Sequence, residues 1–95
     1  MQSKSVYKVP NGKLLKIFLD YDSENNTIIN ICITGDFFAY PEESIDKLEQ
    51  KLKDTLIVKQ DLLEKINSVI KKYNIEFIGL DAEGLVEAIL RCIIK

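Results

Sequence analysis

The segment Gly35-Asp36-Phe37-Phe38, with Pro41 shortly after it, ends an apolar run typical of a β-strand and precedes a helical pattern. Glycine at a strand end permits a positive φ or the close approach of another backbone segment. Asp36 can accept hydrogen bonds from free backbone N–H groups or pair with a cation on another protein. Neighbouring side chains in extended backbone point to opposite faces, so Phe37 and Phe38 should separate, with one of them entering the core. Because proline is tolerated in the first turn of a helix, Pro41 marks a helix start.

Two runs before this corner alternate in a way that predicts an antiparallel hairpin. The first, residues 13–21, has an apolar face made of Leu15, Ile17, Leu19 and Tyr21. Leu14 and Phe18 interrupt its other face, which predicts that this face is also partly covered. The second, residues 27–33, places Ile29, Ile31 and Ile33 on one face and Ile28, Asn30 and Cys32 on the other. A polar loop at residues 22–26 joins them, and a short strand at residues 5–9 is predicted to pair on one edge after a bend at Pro10 and Gly12.

The remainder of the chain reads as helical. Apolar residues recur at spacings of three and four from Pro41 onward (Ile45, Leu48 and Leu52) and again in residues 59–73. Asn74 is a stop signal for the second helix, and Asp81 is an N-cap for a third. Strands followed by helices predict a single α+β domain over residues 1–95, in which about three helices cover one face of a small antiparallel sheet.

Composition excludes several kinds of function. Thirteen basic and fifteen acidic residues give a net charge of −2, which argues against nucleic acid as the main partner. No apolar stretch reaches the roughly 18 residues of a membrane helix, and the first residues do not resemble a signal peptide, so a cytoplasmic location without membrane contact is expected.

No catalytic or metal site is expected in this chain. It has no histidine, and its four glycines are too far apart for a phosphate-binding loop. The two cysteines, Cys32 and Cys92, each lie in an apolar run, where a cysteine usually behaves as a small buried hydrophobe. Without further ligands they cannot form a Cys/His zinc site.

Three motifs together resemble the small C-terminal domain of lipoate–protein ligases. They are Gly35-Asp36-Phe37-Phe38 with Pro41, the segment Pro10-Asn11-Gly12-Lys13-Leu14, and Leu48-Glu49 with Leu52. The resemblance spans residues 8 to 93, and it departs from the family pattern at Lys53-Asp54, where a glycine turn is expected. It implies a fold similar to that of the sulfur-acceptor and iron–sulfur scaffold proteins.

The resemblance implies an accessory, non-catalytic subunit of a two-component ligase that supports ATP-dependent formation of lipoyl-adenylate. Its partner would be the catalytic large subunit, which would hold lipoate, ATP and Mg²⁺, and lipoyl-acceptor proteins would be indirect partners. The motif at residues 35–38 is then either a strand-to-helix corner alone or also the partner contact. Lys13 either faces a ligand in the partner's site or is a solvated strand lysine. The alternative is a sulfur-transfer or iron–sulfur scaffold protein, which would need exposed, reactive cysteines.

Overall fold

The computed structural model describes residues 1–9 and 13–93, so the predicted bend at Pro10 and Gly12 lies outside the described residues. The elements, in chain order, are β1 (Gln2–Lys8), β2 (Leu14–Asp22), β3 (Thr27–Gly35), β4 (Phe38–Tyr40), α1 (Ser44–Lys51), α2 (Lys59–Tyr73), β5 (Glu76–Ile78) and α3 (Ala82–Arg91).

The predicted hairpin is confirmed as the centre of a three-stranded antiparallel sheet in the order β1-β2-β3. Leu15, Ile17 and Leu19 are almost completely buried on one face of β2, as their alternation predicts. We call this the inner face of the sheet. Helix α3 packs on it against β1 and β2, and α1 packs against β3, which confirms the α+β arrangement.

The predicted alternation in β3 is wrong at Ile28 and Ile29. Asn30 pairs with Asp20 and Ile28 pairs with Tyr21, so Ile29 is an extra residue in β3. This β-bulge resets the two-residue period, since two residues on one strand oppose one on the other. Ile28 is consequently buried in the core, whereas Ile29 is exposed.

The outer face of the three-stranded sheet is uncovered, which contradicts two further expectations. Phe18 is 43% exposed, although its apolar character predicted cover over this face. Cys32, directly opposite Phe18 in β3, is also exposed and is not the buried hydrophobe that its apolar neighbours predicted. Both errors have one cause: all three helices follow the sheet in sequence, and those that contact it lie on its inner face.

The helix predictions are mostly confirmed. Helix α2 has the predicted bounds, and Asn74 ends it in the left-handed conformation with φ 51°. Helix α1 begins at Ser44, so Pro41 is not in its first turn. The carbonyl of Pro41 accepts a hydrogen bond from the Ser44 N–H (3.0 Å), which places the proline in a turn before the helix.

Strands β4 and β5 were missed by the sequence reading. They form a separate two-stranded antiparallel sheet in which Phe38 pairs with Ile78 and Tyr40 pairs with Glu76. Each strand has only three residues, which is too few to establish a two-residue period in a sequence.

The edge of β3 that does not pair with β2 is covered by hydrogen bonds with the segment that follows α1. The Ile28 N–H donates to the Thr55 carbonyl, and the Asp54 N–H donates to the Ile28 carbonyl. Asp54 has φ 66°, so an aspartate takes the backbone conformation for which the family pattern suggested glycine. Further along the edge, the Glu49 carboxylate accepts the Ile33 N–H at 2.7 Å. No β-strand can therefore add to this edge without displacing these contacts.

Asp81 is the N-cap of α3, as predicted, and its carboxylate accepts the Gly84 N–H at 2.6 Å. We expect Asp81→Ala to lower the free energy of unfolding by about 1 kcal/mol, because an N-terminal N–H of the helix loses its acceptor. Asp81→Asn, which retains a side-chain oxygen, should recover most of the loss. Urea denaturation of the three proteins measures the difference, and equal loss in both variants would contradict a capping role.

Candidate partner-binding site at the aromatic corner

Gly35 ends β3 in a conformation that requires glycine. Its φ is 152°, and a Cβ at this position would collide with the Leu14 carbonyl oxygen. The next residue continues the close approach, since the Asp36 N–H donates to that same carbonyl at 3.0 Å. Gly35 therefore fixes the corner against the start of β2, and both predicted uses of a glycine here are present.

The two phenylalanines separate as predicted. Phe37 is half-buried and packs against the hydrophobic core, whereas Phe38 is 62% exposed. Asp36 is exposed, and its side chain makes no hydrogen bond to any described residue. Among those residues it therefore does not cap the free backbone N–H groups of the corner.

Phe38 belongs to an exposed apolar cluster that we call the aromatic patch, made of Phe38, Tyr40 and Ile78. All three side chains are at least half exposed. They lie on one face of the small sheet, since Phe38 is directly opposite Ile78 and Tyr40 is two residues along the same strand. Ala39 and Phe77 point the other way, and Phe77 packs against the core. The core thus holds the small sheet in place while its outer side chains remain in water.

Lys13 lies beside the corner and is hydrogen-bonded to Gly79, the residue that follows β5. Its backbone N–H donates to the Gly79 carbonyl (3.1 Å), and its carbonyl accepts the Val9 N–H (3.2 Å). Gly79 has φ 85°, and a Cβ there would lie 2.7 Å from Lys13 Cγ and 3.7 Å from Phe37 Cβ. The structure therefore brings Lys13 and residues 35–38 close together. Gly79, Tyr40 and Ile78 complete this region and were not identified from sequence.

In the part of the chain that the structure describes, the two glycines of this corner leave no cradle for a phosphate group. The space beside Gly35 is filled by the Leu14 carbonyl, and the space beside Gly79 is filled by the Lys13 stem. Over residues 1–9 and 13–93, no three His, Cys, Asp or Glu residues are grouped so that they could hold a metal ion. In the same ranges no helix is both long and apolar enough to cross a membrane. The corner can bury apolar area and offer an acid and a lysine around it, which suits a protein partner.

The two cysteines lie on opposite sides of the three-stranded sheet. Cys32 is on the outer face, whereas Cys92 is buried near Ser5, whose hydroxyl lies 3.5 Å from the Cys92 Sγ. Burial raises the pKa of the Cys92 thiol, and the hydrogen bond with Ser5 opposes this only in part. Two thiols separated by a sheet cannot act on one sulfur atom or bind one cluster together.

Comparison with known proteins places the chain in a family. Residues 10–89 match the family described as "Bacterial lipoate protein ligase C-terminus". A curated relative, lipoate-protein ligase A subunit 2 from Thermoplasma acidophilum, is 39% identical over 92 residues, which cover 94% of this chain and 87% of the relative. A solved structure of a bi-partite lipoate protein ligase from the same organism aligns with a TM-score of 0.70 and 35% identity, covering 94% of both chains. On this evidence, the chain belongs to the family of bacterial lipoate protein ligase C-terminal domains.

Proposed function

We propose that this chain is a non-catalytic accessory subunit of a two-component lipoate–protein ligase, and that its aromatic patch docks on the catalytic subunit. The proposal is supported by the similarity to subunit 2 of a bi-partite ligase. The observation that carries it is the aromatic patch itself, in which Phe38, Tyr40 and Ile78 remain at least half exposed while the opposite face of the same sheet is packed. Exposed clusters of this kind mark protein interaction sites.

The surroundings of the patch have the composition of a protein interface. Aromatic residues are enriched at the centre of interfaces, and charged residues form the rim. Here the charged residues Asp36, Lys13 and Glu76 are exposed around the patch. Asp36 is suited to pair with a cation on the catalytic subunit. For Lys13, contact with a phosphate in the partner's site stays a prediction.

The proposed role of this chain is to order loops of the catalytic subunit, which carries out the chemistry. In this proposal lipoate, ATP and Mg²⁺ bind to the catalytic subunit, and the spaces beside Gly35 and Gly79 of this chain are filled by the Leu14 carbonyl and the Lys13 stem. Docking beside the active site would hold flexible loops of the catalytic subunit in the closed arrangement, so that lipoate and ATP react in the absence of water. The lipoyl group would then pass to a lysine of an acceptor protein.

Measurement of lipoyl-adenylate formation tests this function. The catalytic subunit from the same organism is assayed for lipoate-dependent pyrophosphate release with and without an excess of this chain. We expect the rate to rise at least tenfold on addition of the native chain, and not on addition of the heat-denatured chain. An unchanged rate would contradict the proposed function, as would adenylate formation by this chain alone.

A further inference from the structure

A second surface, distinct from the aromatic patch, lies on the uncovered outer face of the three-stranded sheet. We call it the lysine face: Lys4, Lys8 and Lys16 surround Val6, Phe18 and Cys32. The strand pairing brings these residues together, because Lys4 is opposite Phe18, Phe18 is opposite Cys32, and Val6 is opposite Lys16. All of them except Lys8, together with Ser5, Ile17 and Thr34, line a shallow depression. Its centre is apolar and its surroundings are basic.

The charge of this surface opposes that of the whole chain, which is −2. The two acids of β2 lie at the hairpin end of the sheet, and both already have partners. Asp20 is 3.8 Å from the N-terminal ammonium group. Asp22 accepts a hydrogen bond from the Asn25 side-chain amide (2.7 Å) and further ones from the Asn25 and Glu24 N–H groups, which hold the pKa of the Asp22 carboxyl below its usual value. Among the described residues, none of the three lysines forms an ion pair.

The positive charge selects the kind of surface that can cover the lysine face. A second copy of this chain would bring six lysines together, and like charges at close range are unfavourable when desolvated. An acidic surface instead supplies negative charges opposite the three lysines, and its contact can bury Val6 and Phe18 at the centre of the face. Opposite charges across an interface also accelerate association and set the orientation of the partner.

The edge beside this face is also open within the described residues. Strand β1 pairs with β2 alone, whereas the β3 edge is closed by Glu49 and residues 54–56. Met1 exchanges both backbone hydrogen bonds with Tyr21. The alternation of an antiparallel ladder then directs the N–H groups of Lys4, Val6 and Lys8 away from β2. These are residues of the lysine face, so a partner that reaches the edge finds free backbone donors next to the lysines.

The size of the lysine face indicates that it does not hold a partner alone. Three strands of about seven residues cover on the order of 300 Å², whereas a stable interface needs about 800 Å² on each partner. The face ends beside the aromatic patch: Lys8 pairs with Leu14, the Leu14 carbonyl binds Asp36, and Lys13 binds Gly79 next to Ile78. A single large partner that contacts both surfaces buries more area than either surface offers alone, and so comes closer to this requirement.

We propose that the lysine face binds an acidic surface of the catalytic subunit, which extends from the aromatic patch across the outer face to the open β1 edge. The proposal rests on the proposed function, because it names the same partner. It makes the lysine face the part of the interface that sets the speed and orientation of docking.

Cys32 allows a footprinting test on the unmodified protein, because it is an exposed thiol within the lysine face and Cys92 is buried. The native chain is treated with iodoacetamide, alone and in complex with an excess of the catalytic subunit, and the peptide that contains residue 32 is quantified by mass spectrometry. Complex formation is verified by sedimentation velocity in the same buffer. We expect alkylation of Cys32 to slow at least tenfold in the complex. An unchanged rate in a verified complex overturns the lysine-face proposal and leaves the proposed function standing, whereas failure to form a complex overturns both.

Charge reversal provides the second test. The double variant Lys4→Glu with Lys16→Glu is compared with a matched control, Lys51→Glu with Lys71→Glu, in which two exposed helix lysines change by the same charge. We expect the lysine-face variant to raise the Kd for the catalytic subunit at least tenfold and to reduce the salt dependence of the association rate, and the control to change Kd less than threefold. Equal Kd values for the two variants contradict the proposal. So does a loss confined to binding of the lipoyl-acceptor protein, which would assign the face to the acceptor.

Discussion

Replacement of Gly35 by alanine is expected to destabilise the fold by about 3 kcal/mol. Two costs combine at this position. The φ of 152° is a conformation that residues with a Cβ rarely adopt, and the new Cβ would collide with the Leu14 carbonyl oxygen. That oxygen is a backbone atom that also accepts the Asp36 N–H, so it cannot move aside without loss of this hydrogen bond. The expected result is a large drop in the urea midpoint with an unchanged slope.

Two further variants separate the cause from a general sensitivity of the region. Gly79→Ala shares the positive φ, but its Cβ would meet Lys13 Cγ, a side-chain atom that rotation about the Cα–Cβ bond can move, whereas Gly35 faces a backbone oxygen, so the loss should be smaller. Thr34→Ala, at an exposed position next to Gly35 in the same strand, should change stability by less than about 0.5 kcal/mol. If Gly35→Ala costs no more than Thr34→Ala, the corner is not held by the contact with Leu14.

Local signals account for the part of the fold that the sequence predicted. Helix α2 is long enough for its spacing to be unambiguous, and Asp81 acts through an N–H only three residues away. The bulge at Ile29 is different, because it depends on which residues of β2 lie opposite β3. An isoleucine fits either side of a strand, so hydrophobicity alone does not reveal the shift in period. Exposure of Cys32 likewise depends on which face of the sheet the helices cover, and the residues next to Cys32 in sequence do not indicate that face.

The residues of the candidate site also fall into those identified from local sequence and those that depend on contacts between distant segments. The separation of Phe37 and Phe38 was predicted because it is set by the alternation of neighbouring residues, and Gly35 was identified from its place at a strand end, although its contact with the Leu14 carbonyl is made across the sheet. Ile78 and Gly79 were missed because they reach the corner through the pairing of β5 with β4, two three-residue strands that are far apart in sequence. The contact of Lys13 with Gly79 was missed for the same reason, since it joins the residue before β2 to the residue after β5.

The two neighbouring phenylalanines are expected to have opposite effects when each is replaced by alanine. Phe37 packs against the core but is only half-buried, so Phe37→Ala should cost about 2 to 3 kcal/mol of stability, less than the loss for a fully buried phenylalanine. Phe38 is 62% exposed, so Phe38→Ala should change stability by less than about 0.5 kcal/mol. In binding, the order reverses, because truncation of a central aromatic residue of an interface costs about 2 kcal/mol or more, which is roughly 30-fold in Kd.

Each variant is measured twice, by urea denaturation and by titration into the lipoyl-adenylate assay of the catalytic subunit. Val58→Ala is the matched control, since it truncates an exposed apolar side chain at the start of α2, in a different segment from the aromatic patch. We expect Phe38→Ala to retain wild-type stability and to require roughly 30 times more protein for half-maximal activation. Phe37→Ala should activate normally at temperatures where it is folded. If Phe38→Ala activates as well as Val58→Ala, or if both phenylalanine variants only unfold the protein, the corner has a structural role and the aromatic patch is not the docking surface.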